Sequence, residues 1–87
     1  MSLIAKFDGN MNVTGKLLRK YRIKKDLSYE GLSAKLELIG ISIHKQSLYD
    51  IENNKRTVKD YELFGLAYVL DIDINDLFED MRKSFKN

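Results

Sequence analysis

Apolar residues recur at spacings of three and four along most of the chain of 87 residues. This period predicts amphipathic α-helices. Five such segments are separated by short polar turns, and we expect helices over residues 14–25, 28–39, 45–53, 59–70 and 74–85. Strict alternation of apolar and polar residues is confined to residues 3–7 and 40–43. The pattern therefore predicts an all-α fold, a bundle of five short helices joined by short loops.

Residues with known preferences for helix ends mark the limits of these segments. The side chains that can accept a hydrogen bond from a free N–H group at a helix start are Thr14, Ser28 and Asp73. Gly and Asn adopt the left-handed backbone conformation at low cost. We therefore expect the second helix to end at Gly40 and the third to end at the pair Asn53 and Asn54.

The apolar face of each segment predicts the side chains that the bundle buries. In the first three helices these are Leu17, Leu18, Tyr21, Leu32, Leu36, Leu48 and Ile51, with Leu38 and Ile39 extending the second. In the last two helices they are Tyr61, Leu63, Phe64, Leu66, Ala67, Leu70, Ile74, Leu77, Phe78, Met81 and Phe85. Gly65, inside the fourth helix, indicates either close packing or mere tolerance of a residue that costs about 1 kcal/mol relative to Ala.

The composition argues against several classes of protein. The chain has no Cys and a single His, His44, so disulfides and thiolate metal sites are excluded and we expect no metal and no cofactor. We expect His44 to cap the third helix, face a phosphate or simply be exposed.

No apolar run approaches the roughly 20 residues of a membrane span, and the N-terminus lacks the features of a signal peptide. We therefore expect one soluble cytoplasmic domain. No nucleophile motif and no Gly-rich phosphate loop is present, so we expect no enzyme activity.

The charges are unevenly distributed along the chain. Residues 14–59 contain eleven Lys or Arg and five Asp or Glu, a net charge of +6. Residues 60–80 contain seven Asp or Glu and no Lys or Arg, a net charge of −7, and the last seven residues add +3. A polyanion would be attracted to the first half and repelled by the second. Ordinary solvated helix faces would give similar blocks, so charge alone does not identify a partner.

The third predicted helix lies in the segment SIHKQSLYDIENNKR, residues 42–56. Its apolar seam is thin, since Leu48 and Ile51 are the apolar residues at helical spacing. The remaining positions carry side chains that form hydrogen bonds. Preceded by an amphipathic helix and a turn at Gly40, this segment has the layout of a helix-turn-helix, with a link longer than the usual three or four residues.

Residues 15–78 resemble the lambda-repressor-like, Cro-type helix-turn-helix family, also called the XRE family. The pieces that carry the resemblance are GKLLRKYRIKKDLSYEGLSAKL, QSLYDIENNKR and DYELFGLAYVLDIDINDLF, and IENNKR is similar to the family's IENGKR signature. The chain differs from the family pattern in three ways. Tyr29 stands where Gln is usual, Asn54 replaces Gly, and the link from Glu37 to His44 is about five residues longer than in the shortest members.

The resemblance implies a five-helix lambda-repressor-like bundle that binds double-stranded DNA. In this family the third helix enters the major groove and reads base edges. The implied base-reading residues are Lys45, Gln46, Tyr49 and Asp50. Lys can donate to guanine, Gln can pair with adenine, and Asp can accept from cytosine. A solvated helix would carry similar residues, but within this motif we interpret them as base readers.

The resemblance also implies residues that hold the DNA backbone and residues that hold the reading helix. The implied phosphate-binding residues are Tyr29, Ser47, Asn53, Lys55 and Arg56. A solvated loop is the alternative for Lys55 and Arg56. Arg22 and Glu52 are implied to form a structural ion pair between the first helix and the end of the third.

The chain divides into an N-terminal arm (residues 1–13), a helix-turn-helix DNA-binding domain (14–80) and the end of the last helix with a tail (81–87). The predicted dimer surface consists of Phe78, Met81 and Phe85. Leu3, Ile4 and Phe7 of the arm either cap the core or join that surface.

The favoured function is a sequence-specific transcription regulator, a homodimeric repressor that occupies the major groove. Two alternatives remain open: an antitoxin that binds a toxin protein through the acidic helices, or a protein-interaction module that has lost DNA binding.

Overall fold

A computed structural model describes residues 10–84, apart from the side chains of Asp80 and Ser84. The helices in this part of the chain are α1 (Gly15–Lys24), α2 (Tyr29–Leu38), α3 (Lys45–Glu52), α4 (Asp60–Leu70), α5 (Ile74–Leu77) and α6 (Glu79–Ser84). Residues 10–84 contain no β-strand. The predicted all-α fold is therefore confirmed. No helix among these residues is long and apolar enough to span a membrane.

The last predicted helix is two helices rather than one. Phe78 lies between α5 and α6 with a φ of −109°, outside the helical range, and its side chain packs against the core. The backbone N–H of Arg82 then donates to the carbonyl of Phe78 at 2.8 Å, which begins the new helix. A break in the helical backbone at Phe78 thus divides a segment whose sequence period is continuous.

Four helices are followed by a residue in the left-handed conformation. The φ values are +56° at Asp26, +83° at Gly40, +60° at Asn54 and +62° at Asp71. Gly, Asn and Asp adopt this conformation more readily than other residues. The predicted stops at Gly40 and Asn54 are therefore confirmed, and two Asp residues serve the same purpose after α1 and α4.

The helix starts agree with the prediction at Ser28 and Asp73 and differ at Thr14. Ser28 accepts from the backbone N–H of Gly31 at 2.9 Å, and Asp73 accepts from that of Asn75 at 2.7 Å. Thr14 forms no capping hydrogen bond through its side chain, which is buried. Asn12 caps α1 instead.

The core lies between α1, α2, α3 and α4. Its buried members are Leu18, Leu32, Leu36, Ile43, Leu48, Ile51, Leu66, Ala67, Leu70, Ile72 and Leu77. Five predicted core residues are wrong: Leu38 is 86% exposed, Ile39 40%, Tyr61 55%, Phe64 64% and Ile74 44%. Both α2 and α4 carry apolar residues around more of their circumference than the bundle covers. The neighbouring helices contact only one side of each.

The link between α2 and α3 is anchored at two points. Ile43 is buried, and its carbonyl accepts a hydrogen bond from Ser33 Oγ at 2.7 Å. Ile41 packs so closely on α4 that a Cβ on Gly65 would overlap its terminal methyl group. Gly65 therefore marks close packing. A longer link than usual still places α3 firmly against α2, because these two isoleucines hold it.

Candidate nucleic-acid interface

The outer face of α3 carries the four residues predicted to read bases. Lys45, Gln46 and Tyr49 are exposed and Asp50 is half-buried. On the opposite side of the same helix, Leu48 and Ile51 are buried in the core. The thin apolar seam therefore fixes the helix to the bundle and leaves its hydrogen-bonding face towards solvent.

Side chains within this face contact one another. Gln46 Nε2 donates to Asp50 Oδ1 at 3.2 Å, one helical turn further along the chain. Lys45 Nζ lies 3.5 Å from Glu30 Oε1, in a pair whose side chains are both more than half exposed. An exposed pair of this kind contributes little to stability. Lys45 is therefore easily released to another acceptor.

His44 caps the start of α3. Its Nδ1 atom accepts a hydrogen bond from the backbone N–H of Gln46 at 3.1 Å, and the residue is otherwise exposed. This satisfies one of the free N–H groups at the start of the helix. Of the roles considered for His44 from the sequence, the structure shows capping together with exposure.

Arg22, Tyr29 and Glu52 form a network behind the reading face. Arg22 Nε donates to Glu52 Oε2 at 2.8 Å and its Nη2 donates to Oε1 at 3.2 Å. The Tyr29 hydroxyl donates to Glu52 Oε1 at 2.9 Å. Glu52 is 7% exposed, so three donors surround a buried carboxylate. Because breaking a buried pair leaves an uncompensated charge, the network strongly favours one position of the end of α3.

The network shifts the pKa values of two of its members. The hydrogen bond to Glu52 raises the pKa of Arg22 above its ordinary range. Burial raises the pKa of Tyr29 above the usual value of 10.0, and the hydrogen bond to Glu52 adds to the rise. Both groups therefore keep their protons throughout the physiological range.

Tyr29 was predicted to donate its hydroxyl to a phosphate, but in this structure the hydroxyl donates to Glu52. The guanidinium carbon of Arg22 lies 4.1 Å from the centre of the Tyr29 ring. The ring also meets that of Tyr49 edge to face, with the two centres 5.9 Å apart. Tyr29 thus connects the ion pair to a residue on the reading face, a position that its sequence context did not indicate.

The other predicted phosphate-binding residues lie in three different environments. Asn53 is exposed, and its Nδ2 donates to the carbonyl of Tyr49 at 2.8 Å. Lys55 is also exposed, with Nζ 5.3 Å from the centre of the Tyr49 ring. Ser47 is half-buried. Asn53 and Lys55 therefore lie beside the reading face and remain accessible.

Arg56 is held in a second ion pair that the sequence did not indicate. Its Nη1 and Nη2 atoms donate to Glu62 Oε1 and Oε2 at 3.0 and 2.9 Å, and Glu62 is 3% exposed. Glu62 Oε1 also accepts from the backbone N–H of Lys59 at the start of α4. The Arg56 hydrogen bond lowers the pKa of Glu62 below the usual value of 4.5. The guanidinium therefore fixes the loop after α3 to α4 and has fewer free donors for a phosphate.

Asn12 joins α1 and α3, a connection that sequence reasoning missed. Its Oδ1 accepts from the backbone N–H groups of Thr14 and Gly15 at 3.1 and 2.7 Å. Its Nδ2 donates to the carbonyls of Ile51 and Arg56 at 3.0 and 2.9 Å. One side chain thus caps the start of α1 and donates hydrogen bonds to the end of α3 and to the loop that follows it. No local signal identifies such a role, because the two partners are about forty residues away.

Asn54, which replaces the family's usual Gly, adds to this connection. Its Oδ1 accepts from the backbone N–H groups of Met11 and Asn12 at 2.7 and 3.2 Å. Its Nδ2 donates to Asn10 Oδ1 at 2.6 Å. Residues 10–12 are therefore held against the loop that follows the reading helix.

Only part of the predicted dimer surface lies within the described residues. Phe78 and Met81 are both half-buried, and Phe78 packs against the core. Phe85 lies outside the described residues, as do Leu3, Ile4 and Phe7 of the arm. Within the described part of the chain, no group of three or more Asp, Glu or His side chains could hold a metal ion.

The fold and the exposed face of α3 define the class of this molecule, a helix-turn-helix domain. A family model described as Helix-turn-helix, of Cro/C1 and XRE-like type, matches residues 18–77. This is more than half of the chain, and the protein belongs to that family. Its members are DNA-binding regulators rather than typical enzymes. Comparisons with curated proteins and with solved structures gave no significant match.

Proposed function

We propose that this protein is a sequence-specific transcription regulator that binds double-stranded DNA as a homodimer and represses by occupying the major groove. The observation that carries the proposal is the face of α3. Lys45, Gln46 and Tyr49 are exposed, while Leu48, Ile51 and Glu52 hold the other side of the helix in the bundle. Such a helix suits a groove because it is rigid and presents donors and acceptors outward.

In this proposal Lys45, Gln46, Tyr49 and Asp50 face the bases. Asn53, Lys55 and Ser47 face the phosphates. Arg56 and Tyr29 act mainly by fixing the loop and the helix, since their polar groups bind Glu62 and Glu52. The DNA-binding unit is residues 14–80. It acts without a cofactor, in the cytoplasm.

The test compares two variants on DNA flanking the gene and on random duplexes. Gln46→Ala removes a base reader, so we expect loss of sequence preference with little change in non-specific affinity. Lys55→Ala removes a phosphate contact, so we expect uniform weakening and a salt slope, d log K/d log[salt], that is smaller in magnitude by about 1.

Lys35→Ala is the matched control for the lost positive charge. Lys35 lies in the last turn of α2, away from the start of that helix, where Tyr29 meets Tyr49. We expect its salt slope to match that of the unaltered protein. Equal slopes for Lys55→Ala and Lys35→Ala would exclude Lys55 as a phosphate contact.

One observation favours the antitoxin alternative. Tyr61, Phe64 and Tyr68 lie on one face of α4 and are 55%, 64% and 66% exposed, in the segment that carries only acidic charges. An exposed aromatic surface of this kind is common at protein interfaces. Co-expression with the product of a neighbouring small gene tests it. A stoichiometric complex that Phe64→Ala abolishes would support a toxin partner.

A further inference from the structure

The hydrogen bond between Gln46 and Asp50 has a fixed polarity. A carboxylate only accepts hydrogen bonds, so the Gln46 side chain must turn its NH2 group, and not its carbonyl, towards Asp50 Oδ1, 3.2 Å away. The amide is planar and its NH2 group has two hydrogens. The hydrogen used by Asp50 leaves the second N–H and the Oε1 atom unoccupied by this contact.

These two remaining groups match one base edge in the major groove. Adenine presents an acceptor at N7 and a donor at N6, and a Gln amide pairs with both through one N–H and its oxygen. Guanine presents two acceptors, which a Gln amide held in this way meets with a single donor. A carboxylate one turn away therefore favours adenine by holding the amide in one of its two orientations.

Tyr49, on the same face of α3, is also held on more than one side. The Tyr29 ring meets it edge to face at 5.9 Å, and Lys55 Nζ lies 5.3 Å from the centre of its ring. The residue is nevertheless 39% exposed. A held and exposed aromatic ring offers apolar surface to the major groove, where the only methyl group is that of thymine.

We propose that α3 selects A·T base pairs, with Gln46 binding adenine, Asp50 acting as a positioning residue for Gln46, and Tyr49 covering a thymine methyl group. This inference rests on the proposed function. It assigns Asp50 a different role from the cytosine reader implied by resemblance. It also explains how an acid can lie near phosphates, because its charge is used within the helix.

The first experiment selects bound sequences from a pool of random duplexes and then alters one base. We expect an enriched site with an adenine that responds to Gln46→Ala. Replacing that adenine by 7-deazaadenine removes the N7 acceptor and should weaken binding roughly fivefold or more. Asp50→Asn should reduce the preference for adenine at this position at least about twofold, because Asn both donates and accepts and the amide can turn over.

Glu37→Gln is the control for the lost negative charge, since Glu37 is exposed on α2. If only the lost negative charge matters, Glu37→Gln and Asp50→Asn should both bind every duplex more tightly. Only Asp50→Asn should lower the adenine preference. An unchanged adenine preference in Asp50→Asn, together with a lost preference for cytosine at a neighbouring position, would overturn the assignment and make Asp50 a reader.

The second experiment replaces each thymine of the selected site by deoxyuridine, which lacks the methyl group. One replacement should weaken binding roughly fourfold, the value expected for one buried methyl group. Tyr49→Phe should retain this response and Tyr49→Ala should lose it. The same replacement outside the selected site should have no effect.

The outcomes separate this inference from the proposed function. An enriched sequence that responds to neither 7-deazaadenine nor deoxyuridine overturns the inference and leaves a sequence-specific DNA-binding protein. A pool with no enriched sequence, bound equally at low and high salt, overturns both.

Discussion

Glu62 is a residue whose importance depends on a partner six positions earlier in the chain. It is 3% exposed, accepts two hydrogen bonds from Arg56 and one from the backbone of Lys59. The sequence shows only an acidic residue in the first turn of a helix, which is common there because of the helix dipole. Its burial, and the loss of Arg56 as a free phosphate donor, follow from the fold of the loop.

Glu62→Gln should lower the free energy of unfolding by roughly 1–3 kcal/mol at pH 7. The Arg56 guanidinium holds the pKa of Glu62 below the usual 4.5. The carboxylate therefore stabilises the fold above about pH 4.5, and this contribution is lost as the pH falls through the lowered pKa. Urea unfolding at pH 7 and pH 3 measures it.

The exposed Glu37→Gln serves as the control for this pH series. The deficit of Glu62→Gln relative to that control should shrink in acid. A deficit of the same size at both pH values would show that the ionised carboxylate is not responsible.

Tyr29→Phe isolates the hydroxyl that binds Glu52. The change keeps the ring that contacts Arg22 and Tyr49 and removes one hydrogen bond to a buried carboxylate. We expect a loss of about 1–2 kcal/mol in stability. The salt slope of DNA binding should not change, because the hydroxyl is not a phosphate donor in this structure. A slope smaller in magnitude by about 1 would show instead that the Tyr29 hydroxyl contacts a DNA phosphate.

At the scale of elements, the start of α1 and the end of α3 approach with no room for a side chain between them. A Cβ on Gly15 would overlap the carbonyl oxygen of Ile51 and lie 3.2 Å from that of Glu52. Asn12 bonds to the same end of α3. The start of one helix, with free N–H groups, thus meets the end of another, with free carbonyls, which is favourable for both helix dipoles.

Gly15→Ala should therefore destabilise the protein by roughly 1–3 kcal/mol, because the obstacle is backbone and cannot move without separating the helices. Gly65→Ala is the matched comparison. Its Cβ would overlap the terminal methyl group of Ile41, which can rotate away. We expect the second change to cost less, as measured by thermal unfolding. A larger cost at Gly65 would show that the α4 contact is the tighter one.

At the scale of the whole molecule, the proposed DNA-binding face and the proposed partner surface lie in different parts of the sequence. The basic residues 14–59 include the reading helix, while residues 60–80 carry only acidic charges. A homodimer must place two reading helices about 34 Å apart. We propose that it uses the surface predicted from the sequence, Phe78, Met81 and Phe85.

Met81→Lys should weaken self-association at least about tenfold, since it places a charge in an apolar interface. Sedimentation at increasing protein concentration measures this. Tyr68→Lys is the control, because Tyr68 is exposed on α4. If Tyr68→Lys dissociates the dimer and Met81→Lys has no effect, the dimer surface lies on α4 instead.

The sequence by itself determined the first four helices, most helix ends, the family and the split of charge, because these depend on local period, capping preference and composition. It also predicted which face of α3 is exposed, since Leu48 and Ile51 must be buried together. Only the tertiary structure decided which polar side chains are already engaged. Donors of Arg56 and Tyr29 bind buried carboxylates, and Asn12 has partners about forty residues away. The physical reason is that a hydrogen bond forms only when donor and acceptor lie within a few tenths of an ångström of the right separation. The packing of the helices sets that separation, and no spacing along the chain encodes it.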